Sequence, residues 1–255
     1  MKVKILGSIS PYLKGKKNCP GYLVLKNNNK ILLDCGNGIT RLMSFPKDII
    51  NLNVIISHLH KDHYGDLLSL AYATYVYHNL GILKKRINVY LPKFCNKEEE
   101  IDYNYLINFN ENYLNFIFYK EDSIINIDDI RITFAKNPHP VTTYSVKLES
   151  DEKVLVYSSD TGYENNSLLT FARGADLLIC ESTYLLSQKS GDNHLTAYEA
   201  AMIAKNSDVS KLLLTHFWSE INAKKYEKEA KTVFKNVKAA KEGKVIKLGG
   251  RKWKK

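Results

Sequence analysis

The sequence lacks the features that would indicate a disulfide framework, a membrane span or a secretory leader. Its four cysteines lie far apart and form no Cys-x-x-Cys pair, which argues against both a disulfide framework and a thiolate zinc site. Uninterrupted apolar runs are short, whereas a membrane-spanning helix needs about 20 apolar residues. The apolar stretch at the beginning of the chain is too short for a secretory signal. We therefore expect a soluble, cytoplasmic protein with reduced cysteines in its core and no membrane partner.

Linker-like composition is also missing from the chain. No tract rich in proline, glycine or serine divides it, and no low-complexity segment occurs. A chain of 255 residues is long enough to bury one large core. We predict a single domain over residues 1–255.

The positive charge is concentrated at one end of the chain. Residues 223–255 hold 13 Lys/Arg and 3 Asp/Glu, whereas the first 222 residues hold 24 of each. Residues 223–240 have the pattern of an amphipathic helix, whose apolar stripe consists of Tyr226, Ala230, Val233, Phe234 and Val237. Two interpretations stay open: a docked terminal helix with a solvated basic face, or a contact with RNA in which the end of the chain, including Trp253, supplies charge and a stacking ring.

Short apolar runs that end in Asp or His occur in both halves of the chain. Such runs predict buried strands, and they lie at residues 30–33 before Asp34, 52–56 before His58, 153–157 before Asp160, and 211–214 before His216. Helical spacing occurs between these runs, over residues 67–76 and 197–204. Strands that alternate with helices in two similar halves favour an α/β (α+β) fold, namely a four-layer αβ/βα sandwich.

The densest cluster of ligand-type side chains follows the strand predicted at residues 52–56. Three histidines and an aspartate occur within six residues, at His58, His60, Asp62 and His63. Imidazole and carboxylate groups at this spacing suit zinc or a similar divalent ion. The sequence therefore predicts a metal site at this strand end.

These motifs together resemble the metallo-β-lactamase superfamily, and within it the ribonuclease Z-like phosphodiesterase branch. The resemblance extends over nearly the whole chain, and it rests on five segments in the family's order: Leu33–Gly38, His58–His63, His139–Tyr144, Ser158–Thr161 and Leu214–His216. It implies one metal ion held by His58, His60 and His139, a second held by Asp62, His63 and His216, and a bridging Asp160. We expect zinc, with manganese or iron as alternatives.

The implied ligand set makes chemical sense. Five neutral imidazoles and two carboxylates supply a charge of −2 against two divalent cations, which leaves a positive centre for an anionic substrate. Two metals about 3.5–4 Å apart lower the pKa of a shared water, and the resulting hydroxide attacks the substrate. Asp62 is a candidate for orienting that nucleophile.

Three further residues have roles to be decided. His194 precedes a capping-box pattern at Thr196 and Glu199, so it lies just before a helix N-terminus. The resemblance implies that His194 stabilises the scissile phosphate or protonates the leaving oxygen; the alternative is an exposed loop histidine. Asp34 is either a partner that orients a metal ligand or a turn residue. His78 is expected to have no catalytic role.

The spacing of the motifs limits the choice of substrate. Only 20 residues separate His139 from Asp160, which leaves no room for the arm with which ribonuclease Z enzymes grip the tRNA body. We expect a phosphodiesterase that acts on RNA ends, cyclic nucleotides or small phosphodiesters. A carbon-ester hydrolase, such as a lactonase or thioesterase, is the alternative on the same metals, and a non-catalytic metal-binding module is a third. Homodimer formation is left open.

Overall fold

Two β-sheets that face each other form the centre of the molecule. A computed structural model describes residues 1–151, 153–163, 166–249 and 253, and of residues 109 and 166 it describes only the backbone. The first sheet has the spatial order β16 (Val245–Lys247), β1 (Lys2–Gly7), β3 (Gly21–Lys26), β4 (Asn29–Leu33), β5 (Leu52–Ile55), β6 (Ile87–Pro92) and β7 (Leu114–Tyr119). The second has the order β15 (Val237–Ala239), β13 (Leu212–Thr215), β12 (Leu177–Glu181), β11 (Lys153–Tyr157), β10 (Tyr144–Ser150), β9 (Ile130–Lys136) and β8 (Ile125–Ile127). A small third sheet pairs β2 (Ile9–Ser10) with β14 (Phe217–Trp218).

Helices cover the outer faces of the two large sheets. These are α2 (Leu67–Asn79) and α3 (Lys97–Asn110) on the first sheet, and α4 (Asn166–Phe171), α5 (Ala197–Asn206) and α6 (Ala223–Ala230) on the second. The short helix α1 (Lys61–Tyr64) follows β5, and 3₁₀ segments lie at Ile39–Leu42 and Leu186–Gln188. Within the described residues, no helix combines the length and the apolar character needed to cross a bilayer.

Alternating side chains explain why strand β3 is buried on both faces. Tyr22 and Val24 belong to the core between the sheets, whereas Leu23 belongs to the core between the first sheet and its helices. This alternation follows from the two-residue period of a strand. The central strands can therefore be apolar throughout, and the predicted four-layer αβ/βα architecture is confirmed.

Helix α5 shows how a local signal and packing agree. Thr196 and Glu199 form the predicted capping box, in which the Thr196 side chain accepts from the Glu199 N–H at 3.1 Å. Ala200, Ala201 and Ala204 are buried on its inner face. Their small side chains let the helix lie close to β12 and β13.

Two predictions from the sequence need correction. Residues 223–240 do not form one helix: α6 ends at Ala230, and Val237 lies in β15, which pairs in parallel with β13. The strand pairing satisfies backbone groups at this sheet edge, and a continued helix could not provide it. Cys95 is exposed rather than in the core, although all four cysteines are free. The single domain over residues 1–255 stays a prediction.

Candidate metal centre

The seven predicted metal-ligand side chains converge at one end of the sandwich, although they come from both sheets. His58 and His60 follow β5, and Asp62 and His63 lie on α1. The other three lie beyond the ends of β9, β11 and β13, as His139, Asp160 and His216 respectively. The C-terminal ends of these strands meet at one end of the sandwich. Residues up to 158 positions apart in the sequence therefore become neighbours.

Asp160 lies at the centre of the cluster. Its Oδ1 is 3.3 Å from His63 Nε2 and 3.2 Å from His216 Nε2. Its Oδ2 is 3.6 Å from His58 Nε2 and 3.9 Å from His139 Nε2. One oxygen therefore faces each pair of imidazoles, which is the arrangement expected of a carboxylate between two cations.

The contacts inside the cluster leave ligand atoms without protein partners. Among the described residues, His58 Nε2 and Asp160 Oδ1 are buried and have no hydrogen-bond partner. Unsatisfied buried polar atoms are costly. These atoms therefore fit metal ligation, and the ligand-type atoms fall into compact groups that could hold an ion: His58, His60, His139 and Asp160 in one, Asp62, His63 and His216 in another.

Hydrogen bonds outside the cluster fix which ring nitrogen of His63 and His58 faces inward. Asp34 Oδ2 accepts from His63 Nδ1 at 2.7 Å, which leaves Nε2 as the lone-pair donor. Ser57 Oγ donates to Asp34 at 2.9 Å and lies 3.1 Å from His58 Nδ1, so its oxygen is available to accept the Nδ1 proton. Such partners are typical of metal-bound imidazoles.

A second chain of hydrogen bonds orients His216. Thr183 Oγ1 donates to Glu181 Oε2 at 2.9 Å and lies 2.8 Å from His216 Nδ1. Because the Thr183 hydroxyl donates its proton to Glu181, its oxygen accepts a hydrogen bond from Nδ1–H of His216. Nε2 of His216 is then free to face Asp160. His139 Nδ1 lies 3.3 Å from the carbonyl oxygen of Asn193, and its Nε2 lies 3.2 Å from His60 Nδ1.

Asp34 is a buried hydrogen-bond acceptor rather than only a turn residue. Besides the bonds from Ser57 and His63, it accepts from the Tyr157 hydroxyl of the opposite sheet at 2.6 Å. Its φ of 56° is in the left-handed region, which is uncommon outside glycine. The other two described non-glycine residues with positive φ beside the centre are Ser159 and His216. The strained turns redirect the chain at the strand ends where the ligands lie.

Burial and neighbouring charges shift the pKa values of the cluster in opposite directions. Burial lowers the pKa of His58 well below its ordinary value and that of His139 to about 4. Burial would also lower the pKa of His63, but the surrounding carboxylates, Asp160 first, hold it well above the ordinary value. Burial would raise the pKa of Asp160, but the imidazoles of His216, His63 and His58 hold it well below. The ionised carboxylate and the neutral imidazoles are the forms that bind metal.

Glu181 is a residue of the site that the sequence reasoning missed. It is the last residue of β12 and fully buried, and its Oε1 lies 2.9 Å from His194 Nδ1. The backbone N–H groups of Thr161 and Leu195 also donate to it, at 2.9 and 3.2 Å. A carboxylate directly after the apolar run 177–180 was the available signal, since the other strands end in site residues as well.

His194 lies beside the metal cluster, just before α5. Its ring stacks on that of His216, with the centroids 5.5 Å apart and an interplanar angle of 23°. Its Nδ1 is 4.0 Å from Asp160 Oδ2. Burial would lower its pKa, but Glu181 and then Asp160 outweigh burial and raise it to about 9. His78 is exposed at the end of α2.

The basic end of the chain is only partly described. The tail residues 250–252 and 254–255 lie outside the described residues. Trp253 lies against its own fold: its Nε1–H donates to the Asn236 carbonyl at 2.9 Å, and the Nζ atoms of Lys211 and Lys238 lie 5.8 and 5.4 Å from its ring centroid. The indole is therefore already engaged on the protein.

Comparison with known proteins places the chain in a family. The family model of the beta-lactamase superfamily domain matches residues 29–217. The probable metallo-hydrolase YhfI of Bacillus subtilis (strain 168) is 30% identical over 247 residues, which cover 95% of this chain and 98% of the relative. The crystal structure of YhfI, described as a metallo-beta-lactamase fold protein, has a TM-score of 0.87 and covers 96% of this chain and 98% of its own.

Ribonuclease Z proteins are also similar to this chain. The ribonuclease Z of Chlamydia caviae is 25% identical over 290 residues, covering 93% of this chain and 94% of the relative. The short form of human tRNase Z has a crystal structure that is 20% identical, with a TM-score of 0.75 and coverage of 98% and 100%. At 20% identity, this structural similarity shows only that the two chains share a fold.

Proposed function

The chain belongs to the metallo-β-lactamase superfamily, whose relatives include metallo-hydrolases, and we propose that it is a phosphodiesterase dependent on two divalent metal ions, zinc first. The observation that carries the proposal is Asp160, whose two carboxylate oxygens each face a pair of imidazole Nε2 atoms. His58, His60 and His139 would hold one metal ion, Asp62, His63 and His216 would hold the second, and the Asp160 carboxylate would be shared between them. When bound, the two ions polarise the phosphoryl oxygens and lower the pKa of water.

Asp62 orients the attacking water in this proposal. Its carboxylate is largely buried, with Oδ2 3.5 Å from His216 Nε2. The neighbouring imidazoles favour the ionised form of this carboxylate. Burial would raise the pKa of Asp62, but His63 and His216 lower it. An ionised carboxylate accepts a hydrogen bond from water and can align its oxygen with the phosphorus.

His194 supplies the proton that the leaving group needs. Glu181 holds Nδ1–H, so the protonated ring presents Nε2–H on its other side. As the water oxygen forms its bond to phosphorus, one water proton passes to the Asp62 carboxylate, the ester P–O bond breaks, and Nε2–H protonates the departing oxygen. Exchange of protons with solvent then restores Asp62 and His194. This role favours a phosphodiester over a carbon ester, because a poor alkoxide leaving group gains most from general-acid assistance.

RNA ends, cyclic nucleotides and small phosphodiesters are the proposed substrates. The similarity to ribonuclease Z proteins supports the phosphodiester class, and the short segment between His139 and Asp160 excludes a tRNA-gripping arm there. The cytoplasm is the proposed location, since four free cysteines suit a reducing compartment.

Metal content and a substrate panel test the proposal together. Elemental analysis of the zinc-loaded protein should give two ions per chain. Phosphodiesters should be turned over in preference to phosphomonoesters, lactones and thioesters. A content at or below one ion per chain, or lactone turnover that exceeds phosphodiester turnover, would contradict the proposal.

RNA contact by the Lys-rich segment 223–255 is a separate part of the proposal. If three or four lysines meet phosphates, log K for single-stranded RNA should fall with log salt at a slope of about −2 to −3. Deleting residues 249–255 should flatten that slope and leave turnover of a small phosphodiester unchanged. If the full-length and the truncated protein bound RNA with equal affinity at every salt concentration, the tail would not be part of the RNA-binding surface.

A further inference from the structure

Exposed aromatic rings and lysines occur on segments that neighbour those carrying the proposed metal ligands, and the proposed mechanism does not use them. We name this surface the rim, and it consists of residues 12–17 and Trp218. Tyr12 is 46% exposed and Trp218 is 39% exposed, so both rings are accessible to a ligand.

Trp218 is close to the cluster along the chain. Strand β14 begins directly after the ligand His216, and Trp218 pairs with Ser10 of β2. Phe217 is buried and packs on Tyr226 with ring centroids 4.9 Å apart. Because side chains alternate along a strand, Trp218 faces away from this core, toward solvent.

The loop 12–17 lies between two ligand-bearing segments. On one side it contacts the turn 36–38: a Cβ at Gly38 would meet Leu13 Cδ2 at 2.8 Å, and a Cβ at Gly36 would clash with the carbonyl oxygen of Asp62. On the other side the Tyr12 hydroxyl donates to Glu220 Oε1 at 3.2 Å. The loop therefore lies between the turn 36–38, which packs against Asp62, and the segment 218–220, which follows His216.

The rim carries positive charge as well as rings. Lys14 pairs with Glu220, and the side chains of Lys16 and Lys17 are exposed. Arg41 donates to the Lys16 carbonyl and adds charge behind the loop. Lysines that lie near exposed aromatic rings suit single-stranded nucleic acid, since every base has a stacking face and every phosphodiester linkage carries a charge.

From this arrangement we propose that the rim binds the nucleobase of the substrate, with Trp218 as the stacking surface and Lys16 and Lys17 beside the next phosphate. The inference rests on the proposed phosphodiesterase function and narrows it to nucleotide-bearing phosphodiesters. A phosphodiester without a nucleobase would gain nothing from this surface.

Kinetics on two matched substrates test the stacking role. In Trp218→Ala, KM for a dinucleoside phosphodiester should rise about tenfold, the low-to-middle range for loss of one base stack, with kcat little changed. KM for glycerophosphoethanolamine, which has no base, should stay constant. Trp218→Phe should restore most of the affinity because an aromatic ring is retained. Tyr72→Ala, which removes an exposed ring on α2, should leave KM unchanged for both substrates. An equal rise in KM for both substrates would show a structural role and overturn the proposal.

Fluorescence gives a readout that does not depend on turnover. The chain has two tryptophans, so Trp253→Phe leaves Trp218 as the sole indole. Adenosine monophosphate should quench its emission with saturation, and ribose 5-phosphate should not. Equal quenching by both would overturn base stacking. Quenching by the nucleotide in a protein that hydrolyses no phosphodiester would refute the proposed function while it supports the base site.

Discussion

At the scale of single residues, hydrogen bonds to the outward-facing ring nitrogen fix the orientation of three histidines in the candidate metal centre. His63 is held by Asp34, His58 by Ser57 and His216 by Thr183. One partner is a carboxylate and two are hydroxyl groups, and each leaves Nε2 directed at Asp160. Removing such a partner typically costs 10–100-fold in metal affinity.

His194 and Asp160 should differ sharply when each is replaced by alanine. Asp160→Ala removes the carboxylate proposed to bridge the two metals, so both metal binding and hydrolysis should be lost. His194→Ala should keep two metals but lose about 10²–10⁴ in rate on alkyl phosphodiesters, the usual size of a general-acid contribution. The measurements are metal content and kcat for alkyl and aryl substrates.

The loss in His194→Ala should shrink with an aryl leaving group, which departs without a proton. If both substrates slowed equally, His194 would anchor the phosphate instead of protonating the leaving oxygen.

The four cysteines should show two classes of reactivity. Burial raises the pKa of the Cys19 thiol to about 12 and also raises those of Cys35 and Cys180, and the thiolate is the reactive form. Cys95 is exposed. A thiol reagent at neutral pH should therefore label one cysteine per native chain and four in denaturant, and Cys95→Ser should abolish the native labelling. Rapid labelling of two or more native thiols would contradict this burial pattern.

At the scale of elements, the N-terminus of α3 holds the loop that carries His139. Glu99 Oε1 accepts from the Thr142 N–H at 2.8 Å, and both its oxygens lie within 3.0 Å of Thr142 Oγ1. Its Oε2 also accepts from the Cys95 N–H at 2.8 Å. One carboxylate thus joins the start of a helix to a ligand loop 40 residues further along the chain.

Glu99→Ala should loosen this loop and weaken metal binding. We expect about a tenfold loss in affinity for the first metal, in line with other residues that position ligands. Glu99→Gln should retain part of the affinity, because its amide oxygen can still accept from Thr142. Competition with a chelator measures the change.

Glu98→Ala is the matched control, since this neighbouring acidic side chain is exposed. If the Glu98 and Glu99 variants bound metal equally well, the contact with Thr142 would have no positioning effect.

At the scale of the whole molecule, the candidate metal centre lies at one end of two sheets whose strands, apart from β16 of the first sheet, come from different halves of the chain. His58 and His63 follow the first sheet, whereas Asp160 and His216 follow the second. Ions bound here would tie the halves together beyond the apolar core. Stability should therefore depend on metal.

Removing metal should lower the melting temperature. A ligand at 1,000 times its Kd adds about 4 kcal/mol of stability, and about 1 kcal/mol shifts Tm by 2–4 °C in a protein of this size. Zinc added to the chelated protein should thus raise Tm by about 10 °C in scanning calorimetry. Asp160→Ala should show little of this rise; a full rise in that variant would place the stabilising ions elsewhere.

The amino-acid sequence by itself predicted several of the strands and helices, and its resemblance to a known family pointed to the seven residues of the cluster. Periodicity is a local property, so apolar runs predicted β5 and β11 and a capping pattern predicted α5. His58 and His63 could be recognised because their ligand types lie within one short segment. The four-layer order followed from the alternation of strands and helices in two halves.

Only the tertiary structure decided the contacts that join distant segments. Glu181 is a site residue because β12 ends beside His194, and Asp34 orients His63 partly through Tyr157, 123 residues away. The segment 237–239 became a strand because the edge of β13 had backbone groups to pair. Hydrogen bonds of this kind depend on how two sheets pack and on which edges stay open, and no local pattern encodes either property.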